Sequence, residues 1–331
     1  MPRLLAVKGI LWIGDPHLSS RNIGRRIDNY RDSVLSKLSE CAVIANKRKL
    51  LPIIAGDLFH KNDENDLKTL NKLVKVLKQF DITPRCLEGN HDKGQVSLTD
   101  EDALSLIVQT GALQLYTQKG IAEQISINSR VVSVYACPYG ETFPKSVPVV
   151  EGESCILVSH HDLAMGSSYP GAIPLTEIEG CAMVLNGHMH DTKESVMKGE
   201  TLWHNKGNIE PLSVDLIDHI PCAWEWDGNL QYTLMSHELT HDRNVFDLTG
   251  IQVKAKNSDE AALDLANEMA ASLTSTPSKF VTEMTSDQAL DATKTSDAEI
   301  LKKDLQEILE LMGASEGTKS IMTLLSNNIK T

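Results

Sequence analysis

Short apolar runs recur along this chain, and several break off into aspartate, asparagine or histidine. Residues 4–13 read as a buried strand interrupted at Lys8-Gly9, ending at Gly14-Asp15-Pro16-His17. Residues 26–46 carry Ile27, Tyr30, Val34, Leu35, Leu38, Val43 and Ile44 at a near-helical period. Residues 51–55 are continuously apolar and deliver Gly56-Asp57. Residues 66–80 place Leu67, Leu70, Leu73, Val74 and Leu77 on one helical face, with lysines opposite. Residues 83–87 form a third strand leading into Gly89-Asn90-His91-Asp92. The order β-α-β-α-β predicts a parallel sheet with right-handed crossovers.

The pattern then changes. Thr99 reads as the N-cap of a helix to residue 110, with Asp100, Glu101 and Asp102 in its first turn and Gly111 as its stop. Residues 124–127 and 131–136 read as a strand pair, followed by a connection through Pro138, Pro144 and Pro148. Residues 155–159 and 181–185 are buried strands, each running into histidines. Residues 195–197, 201–204, 222–226 and 230–235 read as antiparallel strands, the last two joined by a hairpin at Asp227-Gly228-Asn229. From about residue 250 strand and helix signals alternate: strands at 250–255 and 279–284, helices at 259–273, 297–312 and 318–328. The expectation is an α/β protein. A two-layer β-sandwich core flanked by helices covers 1–244, and a small C-terminal α+β cap or partner-binding domain covers 245–331.

Composition narrows the function. The six cysteines form no close pair of the zinc or redox kind and several lie inside apolar runs, which predicts reduced, buried thiols. Run 4–13 is too short to span a bilayer and no signal-peptide pattern is visible, so a soluble cytoplasmic protein is expected. The net charge of −13 counts against a broad basic surface for nucleic acid. It leaves room for a phosphate-binding metal centre, because two divalent ions outweigh the charge of Asp15 and Asp57 locally.

The chemistry lies in five stretches: Asp15-Pro16-His17, Gly56-Asp57-Leu58-Phe59-His60, Gly89-Asn90-His91-Asp92, Ser159-His160-His161 and Gly187-His188-Met189-His190. Each alone is compatible with an ordinary turn. Together they hold seven of the eleven histidines, almost all directly after an apolar strand, where open α/β sheets gather ligands. Carboxylate and imidazole donors together suit manganese, iron or zinc better than ions preferring oxygen alone.

The ordered set resembles the calcineurin-like metallophosphoesterase superfamily. Gly56-Asp57-Leu58-Phe59-His60 and Glu88-Gly89-Asn90-His91-Asp92 look most like SbcD-type DNA nucleases, the bacterial and phage relatives of the meiotic recombination eleven nuclease. The resemblance implies two divalent ions, with manganese first and iron, zinc or magnesium as alternatives. Asp15, His17 and His190 would hold one ion, Asn90, His160 and His188 the other, and Asp57 both. His91 would protonate or stabilise the leaving oxygen, Asp92 would orient His91, and His60 would lie near the substrate or pack behind the ligands. His160 and His161 compete for one ligand role, and the strand end favours His160. Arg21, Arg25 and Arg26 are candidate phosphate contacts or a solvated helix start.

The implied activity is a two-metal phosphodiesterase acting through metal-activated water, a DNA exo- or endonuclease subunit in recombination or repair. Its implied partners are DNA, an SbcC-type SMC-like ATPase and a second copy of the chain, with no membrane. A nucleotide or small-molecule phosphodiesterase or phosphatase of the same superfamily is the alternative, and a non-catalytic partner-binding scaffold the third reading.

Overall fold

The structure, a computed structural model, describes residues 4–148, 152–166, 171–242 and 244–250. The expected cap domain, 245–331, lies outside them except for residues 245–250. Val245 and Phe246 are buried, and Asp247 N donates to Arg25 O at 2.9 Å.

The first apolar run is two strands. β1 (Leu5–Val7) and β2 (Gly9–Ile13) separate at Lys8 and enter different sheets. β2 pairs in parallel with β3 (Leu50–Ile54), β3 with β4 (Arg85–Leu87), and β4 with β5 (Gln114–Tyr116), a strand that periodicity did not reveal. On its other edge β2 pairs antiparallel with β12 (Cys222–Trp226), which continues to β13 (Met235–Glu238). The second sheet runs β1, β6 (Gly120–Ile127), β7 (Arg130–Cys137), β8 (Ser154–His160), β9 (Met183–Gly187), β11 (Thr201–Asn205), β10 (Val196–Lys198). Asn128 and Ser129 both take positive φ, the conformation a two-residue hairpin between β6 and β7 requires.

Both faces of the central strands are covered, which is why their sequences are continuously apolar. Ile10 and Trp12 point between the sheets, where they meet Ile53, Leu87, Val158 and Leu185. Leu11 and Ile13 point the other way, toward α1 (Tyr30–Arg48) and α2 (Leu67–Leu77). A third cluster, with Tyr135, Leu157 and Trp203, covers the outer face of the second sheet.

Three of the differences from the expectation have a visible cause. α1 begins at Tyr30, because Asn29 caps it by accepting from Asp32 N and Arg26 is drawn into a buried ion network. Before α3 (Ala103–Gln109) the cap position belongs to Asp102, not Thr99. The Asp102 carboxylate turns back to accept from Thr99 N, Gly94 N and Asn62 Nδ2, so residues 99–102 form a knot ahead of the helix. The tight hairpin at 227–229 is absent. β12 pairs Glu225 with Met235, and the connection between them folds on itself through Tyr232 stacked on Trp226. Among the described residues no helix is long and apolar enough to cross a membrane.

Candidate metal centre

The carboxyl ends of β2, β3, β4, β8 and β9 meet, and close backbone approach is what lets them meet. A Cβ on Gly56 would strike the His160 ring, one on Gly89 would overlap Asp57 Oδ1 and Asp57 N, and one on Gly187 would come within 2.6 Å of Asp15 Oδ1. These glycines are required by what lies against them. Three polar residues of the same turns adopt left-handed backbone: His17 (φ 45°), Asp57 (φ 46°) and His188 (φ 75°). Each such residue costs roughly 1–2 kcal/mol, strain that concentrates at functional sites. The first two turns brace one another, with His17 N donating to Asp57 O at 2.9 Å and Leu18 N to Leu58 O at 2.8 Å.

Asp15, His17, Asp57, Asp92 and His160 are buried, whereas Asn90, His91, His188, His190 and His60 are half-buried along the open side. His160 Nδ1 lies 2.9 Å from Ala55 O, so Nδ1 carries the proton and Nε2 faces Asn90 Oδ1 at 3.1 Å and Asp57 Oδ2 at 3.2 Å. His188 Nδ1 lies 2.9 Å from the same Asn90 oxygen. On the other side of Asp57, His17 Nε2 lies 3.5 Å from Oδ2 and 3.0 Å from His190 Nε2. Asp15 Oδ2 accepts from His188 N, while Asp15 Oδ1 and Asp57 Oδ2 are buried without a well-formed hydrogen bond. Acceptor atoms turned toward one another in a dry place require cations between them. The donor set therefore fits divalent ions, and Asp57, His160 and His188 present one compact group of ligand atoms for one.

The charge balance agrees. Burial, then Asp57, pushes the Asp92 carboxyl up to about 7, and burial raises Asp15 to about 6. Burial also works against ionising Asp57, but His160, His17 and His91 outweigh it and hold its carboxyl well below the usual range. His160 goes up to about 9, since Asp57 and Asp15 overcome its desolvation. In the metal-free protein a proton on His160 thus supplies positive charge between the two carboxylates. Burial lowers the other site imidazoles: His17 falls well below its ordinary value, and His190 and His60 reach about 4.

His91 stands at the open edge. Its main-chain N donates to Asp57 Oδ1 at 2.8 Å, its Nδ1 lies 2.9 Å from His60 O, and its ring stacks on His60 at 5.7 Å between centroids. The bond to a carbonyl fixes the proton on Nδ1 and leaves Nε2 free. Asp92 does not touch the His91 ring. Its carboxylate accepts from Phe59 N and Gly89 N, so it holds the turn that carries Asn90 and His91. Any orientation of His91 by Asp92 therefore acts through the backbone of the turn, because Asp92 lies on its inner side. His161 turns away from the cluster, its Nε2 2.9 Å from Glu141 O. Arg26 is withdrawn from any phosphate, its guanidinium buried against Asp28 and Glu210, and Arg25 is bound to Asp247.

Several residues at the site escaped sequence reading. Tyr139 packs its ring 5.6 Å from His188 and 6.2 Å from His160. Tyr30 Oη donates to His17 O at 3.0 Å from beneath. Asn186 accepts from His161 N and donates to His161 O, tying the ends of β8 and β9. None belongs to a motif, and only the tertiary arrangement reveals them.

Comparison with known proteins gives the class. The calcineurin-like phosphoesterase family matches residues 9–192, more than half of the chain, and the chain belongs to that family. It is accordingly a metal-dependent hydrolase of phosphoesters. No curated protein matches. Among solved structures it is similar to a novel archaeal phosphodiesterase, at 11% identity over 70% of this chain and 99% of that one, with a TM-score of 0.35. It is also similar to a 5'-nucleotidase precursor from Thermus thermophilus, at 12% identity over 79% of this chain and 59% of that one, with a TM-score of 0.38.

Proposed function

We propose that the protein is a two-metal phosphodiesterase that cuts DNA, the nuclease subunit of a recombination or repair system. The observation that carries this reading is the pairing of His91 with His60 on the open side of the ligand cluster. It brings the histidine of Gly-Asp-Leu-Phe-His beside that of Gly-Asn-His-Asp, the combination that resembles SbcD-type nucleases. Asp15, His17 and His190 would hold one ion, Asn90, His160 and His188 the other, and Asp57 both. Manganese suits this mixed nitrogen and oxygen set, with iron, zinc and magnesium as alternatives. When bound, the ions supply Lewis acidity toward the phosphate and acidify water.

The chain's own residues supply the rest. Water adds at phosphorus with loss of a proton to solvent, and the bond to the leaving sugar oxygen breaks. His91, in its cationic form with Nδ1–H kept on His60 O, passes the Nε2 proton to that oxygen and is reprotonated from solvent. Its Nδ1 contact with His60 O aims the ring, and the bond from His91 N to Asp57 Oδ1 ties that aim to the ligand cluster. DNA, an SMC-like ATPase and a second copy of the chain are the partners this reading implies. A cytoplasmic, reducing setting suits six cysteines that are all free and buried.

A nucleotide or other small phosphodiester is the second reading. The commitment of Arg25 and Arg26 to carboxylates favours it, since neither is left free for a nucleic-acid backbone. One assay separates the two. Linear double-stranded DNA, single-stranded DNA and a small chromogenic phosphodiester are incubated with manganese and either the natural protein or His91→Ala. DNA cleavage that vanishes in the variant supports the nuclease. Turnover of the small diester alone moves the substrate to the second reading, and no hydrolysis of any substrate, with manganese or when the assay is repeated with iron, zinc and magnesium, overturns both.

A further inference from the structure

Asp162 follows the two histidines at the end of β8, outside every motif. Its Oδ2 lies 3.2 Å from His188 Nε2, while Nδ1 of the same ring lies 2.9 Å from Asn90 Oδ1. A neutral imidazole has one proton to give and two acceptors compete for it here. The charged carboxylate is the stronger acceptor, which favours the tautomer with the proton on Nε2 and a bare Nδ1 lone pair toward Asn90. When a cation takes the place of its second proton, His160 reaches the same state by another route. Its Nδ1 donates to Ala55 O, and its Nε2 faces Asn90 Oδ1 at 3.1 Å. Two rings thus direct bare nitrogens at one amide oxygen, one fixed by main chain and the other by a carboxylate.

We propose that Asp162 is the positioning residue for His188, setting its tautomer and aiming Nδ1 at the cation that Asn90 and His160 share. The proposal rests on the two-metal reading above. The other restraints on His188 do not distinguish its two nitrogens. Its main-chain N is held by Asp15 Oδ2 at 2.9 Å, its backbone sits at φ 75°, and the Tyr139 ring covers one side. Rotation of an imidazole about its last torsion is nearly two-fold, so without a partner on Nε2 both orientations are open. The Asp162 side chain is 56% exposed, so its removal disturbs no core packing. A carboxylate behind a ligating imidazole raises ligand basicity, and its loss lowers metal affinity about 10–100-fold.

The experiment titrates the metal-free full chain with manganese by calorimetry and with cobalt by visible absorption, for the natural protein, Asp162→Asn and Asp162→Ala. In the natural protein two equivalents bind. In Asp162→Ala one equivalent weakens about 10–100-fold and its cobalt bands change, the other equivalent is unaffected, and metal-free thermal unfolding stays the same. Asp162→Asn, which keeps an acceptor oxygen without the charge, lies between. If Asp162→Ala binds both equivalents as the natural protein does, or loses both alike, the positioning role is overturned while the two-metal reading stands. If the natural protein binds fewer than two equivalents, the two-metal reading fails and this proposal with it.

Discussion

Gly89 lies directly against Asp57, so that the smallest side chain at Gly89 would occupy the space of Asp57 Oδ1. That oxygen accepts from His91 N, and the carboxylate's other oxygen faces His160 and His17. Gly89→Ala must therefore displace the carboxylate on which both halves of the site converge. Activity should fall at least about 10²-fold, the usual effect of a displacement near 1 Å. Stability should fall by about 1–3 kcal/mol from overpacking. Steady-state turnover of the diester and urea unfolding check the two effects separately.

His91→Ala is expected to lower kcat about 10²–10⁴-fold, the range for a lost general acid, with metal stoichiometry unchanged. The His91 main-chain bond to Asp57 survives the substitution, so the ligand cluster is left in place. Steady-state kinetics on the hydrolysed diester, paired with metal analysis of the purified variant, tests this. Full activity in a metal-loaded variant would remove His91 from the mechanism.

Arg26 holds Glu210 at 2.6 Å and Asp28 at 2.7 Å, and Lys37 meets the other Glu210 oxygen at 2.7 Å. Arg26→Met leaves Glu210 with only half its compensation in a buried place. A loss of about 3 kcal/mol follows, at the lower end for a broken buried pair because Lys37 remains. Equilibrium denaturation of the metal-free protein measures it. Phosphodiester KM should hardly move, since Arg26 does not face the site.

The metal-free protein should lose stability as pH rises from about 6.5 to 9. Asp15 and Asp92 have carboxyl pKa values raised by folding to about 6 and about 7, so the stability they contribute is complete below about 4 and spent by about 7, leaving only the last part of the Asp92 contribution inside this window. His160 is raised to about 9, so its contribution is complete below about 6.5 and lost on approach to 9. Histidines lowered by burial, such as His190 at about 4, change protonation below this window and do not mask the effect. Bound cations supply the missing positive charge. The gap in Tm between chelated and metal-saturated protein should widen by several degrees between pH 6.5 and 8.5, at about 2–4 °C per kcal/mol. Calorimetry at the two pH values decides it.

Much of the core was legible because β2, β3, β8 and β9 are buried on both faces and so are continuously apolar. The helices α1 and α2 were legible for the complementary reason, one apolar face on a 3.6-residue period. β5 was missed because three residues with one exposed end carry no period to count. The tight hairpin at 227–229 was wrong because an attractive turn sequence does not fix register. The pairing of β12 with β13 is set by the cross-strand partners Ala223 and His237, and by Trp226, whose burial against Tyr232 takes up the intervening residues.

What the sequence determined by itself was the type of site. Motif residues at strand ends state which donors are present, and a parallel sheet delivers its strand ends to one edge. What tertiary structure alone decided was each residue's particular part. Asp92 faces the inside of its turn and holds backbone, Arg26 is neutralised by Glu210, 184 residues away in sequence, and His161 turns to Glu141 O while its neighbour His160 meets Asp57. Those outcomes depend on which groups from distant segments are close enough to compete for one proton or one charge. Such competition is settled by distances of about 3 Å, which residue spacing does not encode.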